Sequence, residues 1–129
     1  MSRIFIVDDD PDIVAILKMM LQTQGYQVNA TTNATDILSC TGDKNDLIML
    51  DLWMCGTDGR DIFTQLRKQE NTKDIPIVFM SANSRLKEIA AEYKADDYIE
   101  KPFDMAFMLD KVKTILTRNS QEPVTVSSF

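Results

Sequence analysis

Five short apolar runs alternate along the chain with stretches of helical periodicity, and this alternation constrains the fold more than any other feature. Residues 4–7 are brief, β-branched and stopped by Asp8. Residues 26–31 form a more polar second run. Residues 47–50 are wholly apolar and stop at Asp51. Pro76 introduces a fourth run, residues 77–80, which ends on Ser81. Tyr98 and Ile99 make a short fifth, closed off by Lys101 and Pro102.

The intervening segments read as helices. Asp10 is a good N-cap and Pro11 suits the first helical position. Ile13, Leu17, Met20 and Leu21 then share one face, up to Gly25. Asn33 caps a short helix carrying Ala34, Ile37 and Leu38. Ile62, Phe63 and Leu66 mark the next helix, and Leu86, Ile89, Ala90 and Tyr93 the one after. Met108, Leu109, Val112, Ile115 and Leu116 stripe the last. Residues 53–59 read as a loop punctuated by Gly56 and Gly59. Met19, Met20, Met80 and Met108 are expected to fill the core. Five βα units with apolar strands predict an α/β fold, a parallel sheet covered by helices on both faces. The domain is expected over residues 1–118, with 119–129 a polar, serine-containing, flexible tail. Residues 124–126 are a candidate edge strand within that tail.

Composition narrows the chemistry. The chain has 129 residues and no histidine, which excludes Ser-His-Asp and Cys-His catalysis and the usual zinc ligands. A net charge of −6 disfavours direct binding to nucleic acid. Cys40 and Cys55 lack the spacing of a disulfide framework or zinc site. No run is long enough to span a bilayer and the N-terminus has no leader pattern, so a cytoplasmic protein without membrane contact is expected.

Parallel sheets bind ligands beyond the carboxyl ends of their strands. Asp8 and Asp9 end the first strand, Asp51 the third, Ser81 the fourth and Lys101 the fifth, so all project from one edge. Two carboxylates about 5 Å apart repel by roughly 3 kcal/mol at an effective dielectric of about 20. Three together hold a proton or recruit a cation. Oxygen ligands favour Mg²⁺, with Mn²⁺ or Ca²⁺ as substitutes. Such a site suits phosphoryl transfer to a carboxylate, with Lys101 and Ser81 holding phosphate oxygens. Taken singly these residues have blander readings: Asp10 as a helix cap, Asp51 as a turn aspartate, Ser81 as a loop hydroxyl, Lys101-Pro102 as a surface turn. Their joint order at successive strand ends is the signal.

The blocks Ile4-Phe5-Ile6-Val7-Asp8-Asp9, Asp46-Leu47-Ile48-Met49-Leu50-Asp51, Met80-Ser81-Ala82 and Asp97-Tyr98-Ile99-Glu100-Lys101-Pro102-Phe103 resemble the marker blocks of response-regulator receiver domains, of the single-domain, chemotaxis-regulator-like kind. The resemblance implies a doubly wound (βα)5 flavodoxin-like three-layer sandwich of strand order 2-1-3-4-5. It implies that Asp51 accepts a phosphoryl group, that Asp9 binds the metal directly and Asp8 mostly through water, and that the Trp53 backbone carbonyl completes the protein's ligands. Ser81 and Tyr98 match the conformational switch, and Lys101 the family's lysine, with a cis bond to Pro102. The implied partners are a sensor histidine kinase or histidine phosphotransfer protein, and a downstream protein docking on the face of the fourth helix, fifth strand and fifth helix. A homodimer is left open.

Four positions depart from the family pattern. Cys55 replaces a proline, which loosens the loop or exposes a thiol. Lys94 replaces a glycine, so a left-handed backbone there costs about 1 kcal/mol. Trp53 and Asn83 stand at positions tied to phosphate lifetime, and Trp53 is expected to slow self-dephosphorylation by screening the acyl phosphate from water. Two rival classes have a discriminating feature. An aspartate-nucleophile phosphatase wants a second aspartate where Trp53 stands, and a phosphorylation-independent scaffold would bind no Mg²⁺. A flavin-binding flavodoxin would want a phosphate-cradling loop after the first strand, and none is seen.

Overall fold

The computed structural model describes residues 2–39, 44–54 and 56–120. In chain order the elements are β1 (Arg3–Val7), α1 (Pro11–Thr23), β2 (Gln27–Thr31), a 3-10 helix (Ala34–Ser39), β3 (Leu47–Asp51), β4 (Trp53–Met54), β5 (Thr57–Asp58), α2 (Gly59–Lys68), β6 (Ile77–Ser81), α3 (Leu86–Tyr93), β7 (Asp97–Glu100) and α4 (Met105–Ser120). The main sheet runs β2-β1-β3-β6-β7 with every neighbouring pair parallel. Counting its five strands alone, this is the expected 2-1-3-4-5 order.

Alternation along each strand splits the core in two. Phe5, Val7, Ile48, Leu50, Ile77 and Phe79 face the 3-10 helix, α2 and α3. Ile4, Ile6, Leu47, Met49, Val78 and Met80 face α1 and α4. Each of these buried side chains contributes about 1.5–3 kcal/mol relative to exposure, so every central strand is fixed from both sides. That is the three-layer sandwich.

Local signals act where they were read. Asp10 Oδ1 accepts from Asp12 N at 2.9 Å, with Pro11 opening α1. Gly25 takes φ +91° past its end. Asn33 Oδ1 accepts from Thr35 N at 3.2 Å. The helix it caps is 3-10 rather than α, and its buried residues Ala34 and Ile37 fall at i and i+3, the spacing that stacks in a three-residue turn. Lys94 closes α3 in the left-handed region at φ 61°. The Lys101–Pro102 bond is cis.

Two readings need correction. Residues 53–59 are not a plain loop: Trp53 pairs with Asp58 and Met54 with Thr57 in a small antiparallel hairpin, and Gly59 is the first residue of α2. Short cross-strand pairs carry no periodicity that a sequence window can register. Met19 is not core; it is 58 % exposed on the solvent side of α1, while Met80 and Met108 are fully buried. The α4 helix takes in Asn119 and Ser120. The remaining tail, with the candidate strand at 124–126, lies outside the described residues, as do Cys40 and Cys55 with the expectations attached to them. No helix among the described residues is long and apolar enough to cross a membrane.

Candidate functional site

Register explains how the reactive residues meet. Val7 stands beside Leu50, so the next residues, Asp8 and Asp51, emerge side by side at the carboxyl edge. Asp51 pairs with Met80, which places Ser81 one step beyond. Ser81 pairs with Glu100, and Lys101 N donates to the Ser81 carbonyl at 2.9 Å, which brings Lys101 to the same edge. One carboxylate oxygen from each of Asp8, Asp9 and Asp51 lies within 4.8 Å of the others. The sequence placed these residues together, and the structure brings them together.

The site is largely buried and its charges are unequal. Asp8 is fully buried, Asp51 is 4 % exposed and Ser81 1 %. Asp8 uses both oxygens: Oδ1 accepts from Asp10 N at 3.0 Å and Oδ2 from Lys101 Nζ at 2.6 Å. Lys101 Nζ sits 3.4 Å from Asp51 Oδ1. The lysine is therefore bonded to Asp8 and only leans toward Asp51, a pairing the sequence did not indicate. Burial pushes the Asp51 carboxyl up to about 6, the Asp8 charge adds to the shift, and Lys101 only partly opposes it. For Lys101, burial works against the ammonium. The hydrogen bond to Asp8 and the charge of Asp51 outweigh it and hold the group above its ordinary value.

The strand that carries Asp51 is backed by a glycine. Gly59 N donates to the Leu52 carbonyl at 2.8 Å. A Cβ at position 59 would stand 2.7 Å from the Leu52 Cα and closer still to the Asp51 carbonyl oxygen. The start of α2 is pressed onto the peptide that carries Asp51, and only glycine permits it. Sequence reading treated Gly59 as loop punctuation. Asp58 just before it caps α2 through Oδ1, which accepts from Arg60 N at 2.9 Å. An aspartate two residues ahead of a charged helix start was a legible signal for that cap.

The remaining candidate residues surround this cluster. Ser81 Oγ accepts from Asn83 N at 3.0 Å. Tyr98 is half-buried against the α2–α3 side of the core. Lys111 Nζ lies 4.9 Å from its ring centroid, donates to its carbonyl at 3.1 Å and to Asp97 Oδ1 at 3.0 Å. The Trp53 indole is 42 % exposed. Arg60 lies over it at 4.5 Å, an approach across the hairpin that sequence spacing could not reveal.

The structure is thus an open parallel α/β sheet that gathers three carboxylates and a lysine at its carboxyl edge. The response regulator receiver domain model matches residues 4–113, and the chain belongs to that family. It is 35 % identical to the DNA-binding dual master transcriptional regulator RpaA of a Synechocystis strain, over 95 % of this chain and 52 % of that protein. It is 31 % identical to response regulator SaeR of Staphylococcus aureus, over 100 % of this chain and 58 % of that protein. The chain thus spans little more than half the length of these curated relatives. The crystal structure of response regulator TrrA from Thermotoga maritima, in complex with Mg²⁺-BeF, superposes with a TM-score of 0.79 at 33 % identity, over 89 % of this chain and 99 % of that one.

Proposed function

We propose that this receiver domain takes a phosphoryl group onto Asp51 from the phosphohistidine of a sensor histidine kinase or a histidine phosphotransfer protein, in the cytoplasm. The observation that carries this reading is the convergence of the Asp8, Asp9 and Asp51 carboxylates within 4.8 Å, with Lys101 Nζ reaching both Asp8 and Asp51. Asp8 and Asp51 share one ammonium, Lys101 Nζ, and burial together with the Asp8 charge raises the Asp51 carboxyl. That donor set fits a hard divalent cation, Mg²⁺ with Mn²⁺ as a substitute, held by Asp8, Asp9, Asp51 and the Trp53 backbone carbonyl. When bound, the ion supplies charge neutralisation for the transferring phosphoryl group. In this reading, which follows the family resemblance, Asp9 is a direct ligand and Asp8 acts mostly through water.

In the transfer, an Asp51 carboxylate oxygen attacks phosphorus, the phosphorus–nitrogen bond to the donor imidazole breaks, and the imidazole leaves as it takes up a proton. Lys101 stabilises charge on the phosphoryl oxygens, and Ser81 donates its hydroxyl to one of them. Tyr98 follows Ser81, and the population of the α3–β7–α4 face shifts toward a form that a downstream protein binds. The indole of Trp53, beside the acceptor, slows hydrolysis of the acyl phosphate. The receiver occupies residues 1–118 in this reading and acts through proteins rather than nucleic acid. The chain is a signalling module whose covalent step is its own modification.

Labelling with acetyl phosphate in Mg²⁺ tests the assignment. Wild-type protein should gain one acid-stable, base-labile phosphoryl group, and Asp51→Ala none. Persistent labelling of Asp51→Ala refutes it.

A further inference from the structure

The hairpin after the acceptor strand folds back onto that strand, and one side chain ties it down. Trp53 and Asp58 are cross-strand partners at its base. The residue after Asp58 is the glycine pressed against the Asp51–Leu52 peptide, and Trp53 follows Leu52, so this pair flanks the backbone that carries Asp51. Arg60 comes off the first turn of α2 and reaches across both. Its Nε and Nη2 donate to Asp58 Oδ1 and Oδ2 at 3.0 and 2.7 Å, a two-point bridge, and its guanidinium lies 4.5 Å from the Trp53 ring centroid. A planar cation held on one side by a fork of carboxylate oxygens cannot rotate freely, so the indole stacked on it is confined too. Trp53 is otherwise 42 % exposed, and its strand is two residues long. Little else among the described contacts limits its rotamer.

We propose that Arg60 is a positioning residue that sets the lifetime of the phosphorylated state by holding the Trp53 indole in place. The inference rests on the reading of Asp51 as acceptor and of Trp53 as its screen. The step it governs is hydrolysis. A water oxygen attacks phosphorus, the bond from phosphorus to the Asp51 carboxylate oxygen breaks, inorganic phosphate leaves, and the carboxylate is restored with the water's proton passing to phosphate or solvent. Arg60 touches none of the reacting atoms. It acts through the fraction of time the indole stays where the stack keeps it, and an exposed cation–π contact biases such an equilibrium about two- to fivefold.

Two measurements on the full chain test this. Acrylamide quenching of Trp53, the one tryptophan in the chain, reads the freedom of the indole without any phosphorylation. The half-life of the acyl phosphate, after labelling with acetyl phosphate and removal of the donor, reads the consequence. Arg60→Ala should raise quenching and shorten the half-life by about two- to fivefold. Arg60→Lys keeps the charge but not the planar stack, and should fall between Arg60→Ala and wild type; it also serves if Arg60→Ala fails to fold. Adding Arg60→Ala to Trp53→Ala should change the half-life no further. Unchanged quenching in Arg60→Ala, an unchanged half-life, or a full effect in the Trp53→Ala background each overturns the proposal. A wild-type chain that takes no phosphoryl group sinks the reading of Asp51 and the lifetime control with it; labelled wild type with an Arg60→Ala half-life equal to its own sinks the lifetime control alone.

Discussion

Replacing Asp51 with asparagine should make the metal-free domain more stable at neutral pH, although Asp51 is the residue on which the proposed function turns. Asparagine keeps the shape of the protonated carboxyl and carries no charge. In the fold the Asp51 carboxyl is raised from 3.8 to about 6, first by burial and then by Asp8. A carboxyl whose folded value lies above its unfolded one binds its proton more tightly in the native state. Its contribution to stability is then fully present below about pH 4 and is lost as pH rises through about 6. The shift is close to two units, and each unit is about 1.4 kcal/mol, so the loss is about 3 kcal/mol at pH 7.5. Lys101 is already counted in that net shift. Urea unfolding in EDTA, followed by far-ultraviolet circular dichroism from pH 4 to 7.5, measures it for both proteins. The two should coincide near pH 4. By pH 7.5 the Asp51→Asn midpoint should lie about 1–3 M higher, given slopes of roughly 1–3 kcal/mol/M. Carboxylates remote from Asp51 titrate alike in both proteins and cancel in the difference. A gap that is absent at pH 7.5, or that is the same at pH 4, refutes the account of the site as an excess of buried negative charge.

Two further outcomes follow from the backbone. Gly59→Ala forces a Cβ into the Asp51–Leu52 peptide and should cost about 1–3 kcal/mol in urea unfolding, with slower labelling by acetyl phosphate; a variant as stable and as fast as wild type would show that α2 can back away freely. Lys94→Gly relieves a left-handed residue at φ 61° and should stabilise the domain by about 0.5–1 kcal/mol; no gain in thermal midpoint would mean the unfolded chain's added freedom offsets it.

How much of this was legible can be traced residue by residue. The strands lettered by Ile4, Leu47 and Ile77 were readable because a strand buried on both faces must be apolar throughout. The Asp10-Pro11 cap and the Gly25 stop were readable because they satisfy local backbone geometry. The hairpin at Trp53–Asp58 was not, since two-residue strands leave no pattern, nor was the exposure of Met19, which depends on which side of α1 the sheet covers. In the site, the identities of Asp8, Asp9, Asp51, Ser81 and Lys101 were readable from their places at strand ends. That Lys101 bonds Asp8 more closely than Asp51 was not.

The sequence by itself determined a parallel α/β domain with its acids, hydroxyl and lysine at one sheet edge, because hydrophobic period and chain punctuation are local properties. Only the tertiary structure decided how those charges share partners, why position 59 admits no side chain, and that Arg60 rests on Trp53. Each of these depends on distances between segments whose spacing along the chain says nothing about their separation in space, and electrostatics and packing are governed by that separation.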